Sequence, residues 1–414
     1  MNDKPNYKKG NRIELIRTLY TNVALPYRSL RMYIGTTQVT QRLARKMEQE
    51  GLIEIVRKSA AGKYIVVKDY KRNYETIYSP YLDRQYLNAC QLQMDEYSRC
   101  KEKANEKRTE KEKNKGRMER LLNMTETMQM MHLSNVSSYP DETVELKEGI
   151  KSGGTGQSVF YPSMEIKKAG HYKAEVMQRD GEKRVQTSRI YGMMISVGGV
   201  YAVYNISDKL IEWKQYGEIK MKNHIKQLTR ECTRGKDIGC ILLATDMKVY
   251  ARVITNEYQK GHKGAKILLN IDYAYEKMYG LPTTKDGIEM LRIMQEENWE
   301  KEMEQNLLGG CSRDIRSYSV VCDARSEEDG YILLFCNGNI ARLKLFLNRA
   351  VNAREDEQFS IYCFDYQLPL LAALEIGNTK VKAMSIYDYQ QNRKGERRVL
   401  DGVSENNTGK ATGQ

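Results

Sequence analysis

Apolar and polar positions over the first 68 residues follow a helical period and then a strand period. Asn11–Tyr20, Pro26–Tyr33 and Gly35–Gly51 read as three helices. Two short β-type runs follow, Leu52–Arg57 and Lys63–Lys68, joined by Ser59-Ala-Ala-Gly62. In the third helix Val39, Leu43 and Met47 recur at i, i+4 and i+8, which predicts one apolar face. Gln38, Gln41, Arg42 and Arg45 then project from the far side. Gly35 permits the turn before this helix, Thr36 or Thr37 can cap it, and Gly51 stands where a helix C-terminal glycine belongs. The hairpin alternates apolar residues (Ile53, Ile55; Tyr64, Val66) around a small tip.

This order of elements resembles the winged helix-turn-helix family across the whole stretch. The resemblance implies that the third helix enters a DNA major groove while the hairpin touches backbone or minor groove. Gln38, Gln41, Arg42 and Arg45 are side chains able to pair with base edges. Lys58 and Lys63 flank the hairpin tip, where phosphate contacts are expected. The alternative is a winged helix used only for protein contacts, within an interaction scaffold that binds no DNA.

The pattern then changes. Residues 82–131 read as helix, and Arg99–Arg120 is almost entirely Lys, Arg and Glu, too poor in apolar residues for a coiled-coil seam. From Met118 the helix becomes amphipathic, with Leu121, Leu122, Met124, Met128 and Met131 at helical spacing, and is expected to pack on the domain that follows. Ser134–Ser158 reads as loop. Its Ser152-Gly-Gly-Thr-Gly-Gln-Ser158 run has Gln157 where a P-loop needs lysine, so it reads as a turn. Strands are expected at Val159–Ile166, Ser188–Ser196, Gly199–Ile206, Asp237–Thr245 and Lys248–Thr255, with a helix at Glu218–Cys232. Near Tyr273–Gly280 the strand pattern stops, and Asp286–Leu308 reads as one helix. Residues 317–389 repeat the alternation: Ser319–Ala324, Tyr331–Cys336, Phe359–Phe364 and Lys380–Tyr387 as strands, Asn339–Val351 and Pro369–Leu374 as helices.

Strands alternating with helices place the chain in the α/β (α+β) class, with a mixed sheet covered by helices. The expected division is a DNA-binding domain at 1–75, a charged helical linker at 76–135, an α/β domain at 136–310, a second α/β segment at 311–390 packing with it, and a disordered tail at 391–414.

Net charge matters because a nucleic-acid module is already suspected. The 414 residues carry a formal charge of +13, which favours a polyanionic partner. No long apolar run, signal peptide or lipidation motif is present, so a membrane is not the expected polyanion. The eight cysteines form no Cys-x-x-Cys pair. Several lie in apolar runs, as reduced, buried thiols of a cytoplasmic protein would.

Candidate chemistry centres on Glu-x-Lys triplets: Glu165-Ile-Lys167, Glu212-Trp-Lys214 and Glu218-Ile-Lys220. A restriction-endonuclease-type nuclease needs such a triplet on a strand and an acid on the preceding hairpin, so that two carboxylates converge on Mg²⁺. Residues 188–255 suit that topology, yet the strands at 188–206 contain no Asp or Glu, and Asp208 lies in the turn beyond. Glu218 at a helix start is equally explained by the helix dipole. Four histidines, with no His-x-His, leave a metal-and-tyrosine relaxase without its triad. The α/β region is therefore expected to resemble a nuclease core whose active site has been lost, and no cofactor is expected unless Mg²⁺ serves that nuclease alternative.

The runs Ser188-Arg-Ile-Tyr-Gly-Met-Met-Ile195, Tyr201-Ala-Val-Tyr-Asn205 and Trp213 to Glu218, with the upstream Arg117–Met131 helix and Tyr161–Lys167, resemble replication-relaxation proteins of conjugative and plasmid elements in Gram-positive bacteria. That resemblance implies a sequence-specific binder of double-stranded DNA on a mobile genetic element, acting in replication, relaxation or transcription control. Conjugation or replication proteins, or a second copy of the chain, would be its partners. It supplies no catalytic residue at any position here.

Overall fold

A computed structural model describes residues 7–33, 36–57, 59, 61–68, 94, 97–98, 108–138, 157–167, 169, 188–208, 215–230, 237–255, 275–313, 315, 321–354, 357–374 and 376–393. The described residues form a mixed α/β structure with three mixed or antiparallel sheets. No helix among the described residues is long and apolar enough to cross a membrane.

The N-terminal module begins with α1 (Tyr7–Asn22), β1 (Ala24–Pro26) and a 3-10 turn (Tyr27–Met32). It continues with α2 (Thr37–Gln49), β2 (Ile53–Val56) and β3 (Tyr64–Val67). The second expected helix is thus a single 3-10 segment that follows Pro26 in an extended conformation. Strand β1 was not foreseen. It pairs antiparallel with β3, giving a three-stranded sheet of order β1-β3-β2. Leu15, Leu19, Leu25, Leu30, Met47 and Ile65 fill the core beneath it.

The face that α2 buries differs from the expected one. Thr40, Ala44 and Met47 are buried, while Val39 is 37% exposed and Leu43 half-buried. The short helix offers two stripes that share Met47. The buried one carries the smaller side chains, so the helix axis can approach its neighbours more closely.

Helix α3 (Arg108–Leu133) was expected to pack on the domain that follows it, but it serves two cores. Met118, Leu121 and Leu122 complete the core of the N-terminal module. Met128, Met130 and Met131 join the core of the α/β region. Polar residues at this junction, Thr125, Glu126, Thr127 and Gln129, are buried too. Both threonine hydroxyls donate to carbonyls four residues back, to Leu121 at 3.1 Å and Asn123 at 2.8 Å. The stretch of the expected linker helix before residue 108 lies almost wholly outside the described residues, as do most of the Ser152–Ser158 run and the tail beyond 393.

The first α/β sheet contains β4 (Val159–Pro162), β5 (Gly192–Ser196), β6 (Gly199–Ser207), β7 (Gly239–Ala244) and β8 (Met278–Pro282), in chain order across the sheet. β4, β5 and β6 are antiparallel; β6, β7 and β8 are parallel. Helix α4 (Gln215–Leu228) follows β6 and α5 (Val249–Ile254) follows β7. Helices α6 (Lys285–Met294) and α7 (Trp299–Leu308) follow β8.

Four expectations are corrected. The strand from Val159 ends at Pro162, and residues 163–167 are helical. The stretch Lys248–Thr255 holds a helix, Val249–Ile254, after a turn in which the Asp246 carboxylate accepts from the Lys248 amide at 2.8 Å. Its apolar side chains are buried on several sides, so no alternation marks it. Met278–Pro282 is a strand despite Gly280 and Pro282, because it borders its sheet and Pro282 closes it. Asp286–Leu308 is two helices, broken where Asn298 adopts φ +54°.

The second sheet has β9 (Ala324–Ser326), β10 (Gly330–Leu334), β11 (Phe359–Phe364) and β12 (Lys380–Met384), in order β12-β11-β10-β9. Here an antiparallel hairpin leads through α8 (Ile340–Val351) and α9 (Leu368–Ala373) into two parallel strands, the same connectivity as β5 to β8. The two sheets meet where the Gly280 amide donates to the Gly338 carbonyl at 2.9 Å, and their apolar residues share cores. The free thiols Cys240, Cys322, Cys336 and Cys363 are buried in these cores and Cys311 is partly so.

Gly287 shows how tightly α6 is seated. A Cβ there would lie 2.0 Å from the Pro282 carbonyl oxygen and 2.8 Å from Met130 of α3. Gly287→Ala is expected to cost about 2–3 kcal/mol, read as a lower thermal midpoint, whereas Gly310→Ala, with open space around it, should not. Equal midpoints for the two variants would contradict this packing.

Candidate nucleic-acid interface

Helix α2 is held at both ends by its own sequence. The Thr36 hydroxyl accepts from the Val39 amide at 3.3 Å. At the other end Gly51, at φ +74°, turns the chain so that its amide meets Glu48 O and the Leu52 amide meets Met47 O. With Thr40, Ala44 and Met47 turned inward, Gln38, Arg42 and Arg45 are exposed and Gln41 is half-buried. The structure therefore places three of the four expected α2 contact residues in solvent and draws Gln41 partly into the flank.

The β2–β3 hairpin stands beside this helix. Its tip is closed by Ser59, whose hydroxyl accepts from the Ala61 amide and donates to the Gly62 carbonyl at 2.6 Å. Gly62 takes φ +86°, which a side chain would disfavour. Lys63, beside the hairpin tip, lies with its ammonium 3.5 Å from the Tyr27 ring centroid, a cation–π contact. Lys58 falls outside the described residues. Arg57 is tied to Glu48 at 2.6 Å, which holds hairpin against helix. Beside Arg57, the Glu48 carboxylate is held below its ordinary pKa, first by that hydrogen bond.

The nuclease candidates are arranged differently from the triplet pattern. Glu165 and Lys167 sit on the helical turn 163–167, not on a strand. Residues two apart share a face on a strand but point roughly 200° apart on a helix, so these two do not converge. Glu212 and Lys214 lie outside the described residues. Glu218 is fully buried in the first turn of α4. Its carboxylate accepts from Ser188 Oγ at 2.6 Å, Tyr204 OH at 2.7 Å and the Arg189 amide at 2.8 Å. Those donors occupy it as a structural anchor. Among the described residues no three of His, Cys, Asp and Glu are grouped to hold a metal.

Two arginines absent from the sequence-based site fix the module on the α/β region. Arg28 donates from Nε to Glu126 at 3.0 Å and from Nη2 to Asn123 at 3.2 Å. Arg31 reaches the C-terminal ends of the parallel strands β7 and β8, donating to the carbonyls of Thr245 and Thr283 and to the Thr283 hydroxyl. Burial lowers the Arg31 pKa from its ordinary value, with Glu126 acting against that shift. The available signal was two arginines three apart in the turn between β1 and α2. Nothing local says that their partners lie about 100 and 250 residues onward, as the sequence separations show.

No protein-family model matches the chain, and no curated protein or solved structure does.

Proposed function

We propose that residues 7–68 form a winged helix that binds double-stranded DNA with sequence preference, α2 lying in the major groove and the β2–β3 hairpin on the flanking backbone. The observation that carries this reading is the exposed face of α2. Gln38, Arg42 and Arg45 stand free beside a hairpin fixed to the same helix through Arg57 and Glu48. Long polar side chains on a capped, rigid helix are what base-edge hydrogen bonding needs. The order α1, β1, 3-10 turn, α2, β2, β3, with β1 closing the sheet, supports it further. The charge of +13 supplies the long-range attraction to a polyanion. The likeness of the runs between Ser188 and Glu218 to replication-relaxation proteins supports a role on a mobile element, in replication, relaxation or transcription control. The α/β region acts there as the platform that carries the module and meets replication or conjugation partners.

The test uses the full chain and a random-sequence duplex pool. Selection is expected to enrich one sequence, and gel-shift titration should show it bound more tightly than a scrambled duplex. A pool that stays random, or no shift at low salt, rejects the reading. Lys63→Ala should lower affinity on selected and scrambled duplexes alike and reduce the salt slope by about one. A loss confined to the selected site would contradict the phosphate role given to Lys63.

A further inference from the structure

Helix α2 breaks the apolar-inside rule at neighbouring positions. Val39 is exposed, while Thr40 is fully buried with a hydroxyl that has no hydrogen-bond partner among the described residues. A buried hydroxyl without a partner costs stability, and so does an aliphatic side chain left in water. Both side chains branch at Cβ. Exchanging the two residues would put methyl groups inside and the hydroxyl in water with little change of shape. Ala44 and the close approach it allows explain which face of α2 turns inward. They do not explain a valine on the face turned outward. A lone exposed valine needs no explanation. One set beside a partnerless buried hydroxyl does, because local rules of this kind are broken where a surface has another use.

The surroundings of Val39 point to that use. It lies in the first turn of α2, its amide held by the Thr36 hydroxyl at 3.3 Å. Gln38 before it and Arg42 one turn on are exposed as well. The N-terminal residues of a helix lying in the major groove are those that meet base edges. Among those edges the C5 methyl of thymine is the apolar group, and small apolar side chains recognise it.

We infer that Val39 reads a thymine methyl in the major groove, which makes it a specificity-determining residue beside Gln38, Arg42 and Arg45. This rests on the reading of α2 as the helix that enters DNA. Residues three apart on a helix lie about 5–6 Å apart at Cβ, and successive base pairs are about 3.4 Å apart along the duplex. The thymine therefore stands within about two steps of the base pair that Arg42 reads.

The test starts from the duplex that selection enriches on the full chain. Each thymine is replaced in turn by deoxyuridine, which keeps the O4 acceptor and the pairing with adenine and lacks only the methyl. At one position, near the one where Arg42→Ala relaxes the preference, the wild type is expected to bind roughly fourfold more weakly, the worth of one methylene-sized group removed from water. Val39→Ser should bind the selected duplex more weakly by a similar factor and no longer distinguish thymine from uracil there. Its thermal midpoint should match that of the wild type, whereas Thr40→Val should raise the midpoint and keep the thymine preference. The absence of any sensitive thymine, a Val39→Ser variant as sensitive as the wild type, or an equal loss on selected and scrambled duplexes overturns the methyl contact while leaving the DNA reading intact. A large fall in midpoint for Val39→Ser would place the valine in the core and overturn it too. So would a change of oligomeric state in that variant with the thymine preference unchanged, which would assign Val39 to a contact between copies. A pool from which nothing is enriched rejects the DNA reading and this inference together.

Discussion

Alanine at both Arg42 and Arg45 is expected to abolish most of the protein's preference for its selected DNA site. Each arginine can offer a bidentate pair to a guanine edge, worth about 1–3 kcal/mol of discrimination, so the double change removes about 2–6 kcal/mol, or thirtyfold and more. Residual binding should persist, because hairpin contacts with phosphate remain. The measurement is the ratio of dissociation constants for selected and scrambled duplexes, taken at one salt concentration. Stability should hardly change: both side chains are exposed on α2, and alanine favours a helix interior. A ratio equal to that of the wild type would refute the placement of α2 in the groove. A variant that loses preference only because it melts early would show in the thermal scan.

The second large effect is structural. Glu126 is fully buried on α3. Arg28 Nε donates to it at 3.0 Å, Ser29 Oγ at 2.9 Å and Asn205 Nδ2 at 3.3 Å. One carboxylate thus joins the 3-10 turn of the N-terminal module to strand β6. Glu126→Ala strips these donors of their acceptor, and breaking a buried pair in this way costs about 3–5 kcal/mol. The lower end is expected, because Arg28 is partly exposed and can recover water. A double-mutant cycle with Arg28→Ala separates the pair from its surroundings. A change below about 1 kcal/mol for Glu126→Ala, small beside that expected cost, would mean the contact is dispensable.

How much of this was legible before the structure depends on the range of the deciding contact. Thr36 and Gly51 announce the ends of α2 because capping is settled within four residues. Phe359–Phe364 reads as a strand over its whole observed length because it is an apolar run between breakers. The inward face of α2 was misread because Val39 is more apolar than Thr40, while the neighbours favour the stripe with Ala44. Strand β8 was missed because Gly280 and Pro282 are poor strand residues, and only pairing with β7 makes them one. The outward side chains of α2 were readable from spacing, apart from the half-burial of Gln41. Arg28 and Arg31 were not, since each gains its meaning from partners on distant segments.

Helix α3 has a consequence for how the molecule comes apart. Met118, Leu121 and Leu122 belong to one core and Met128, Met130 and Met131 to the other, along one continuous helix. Melting either core frays a helix on which the other depends, so the two should unfold together, in a single calorimetric transition. The chain emerging from the ribosome meets the same dependence. The N-terminal module cannot close its core until residue 122 has been made, and a fragment cut at residue 75 would leave that seam open to water. Cutting the protein at the boundary its sequence suggests would yield a piece that aggregates, and a sound fragment must run through the end of α3.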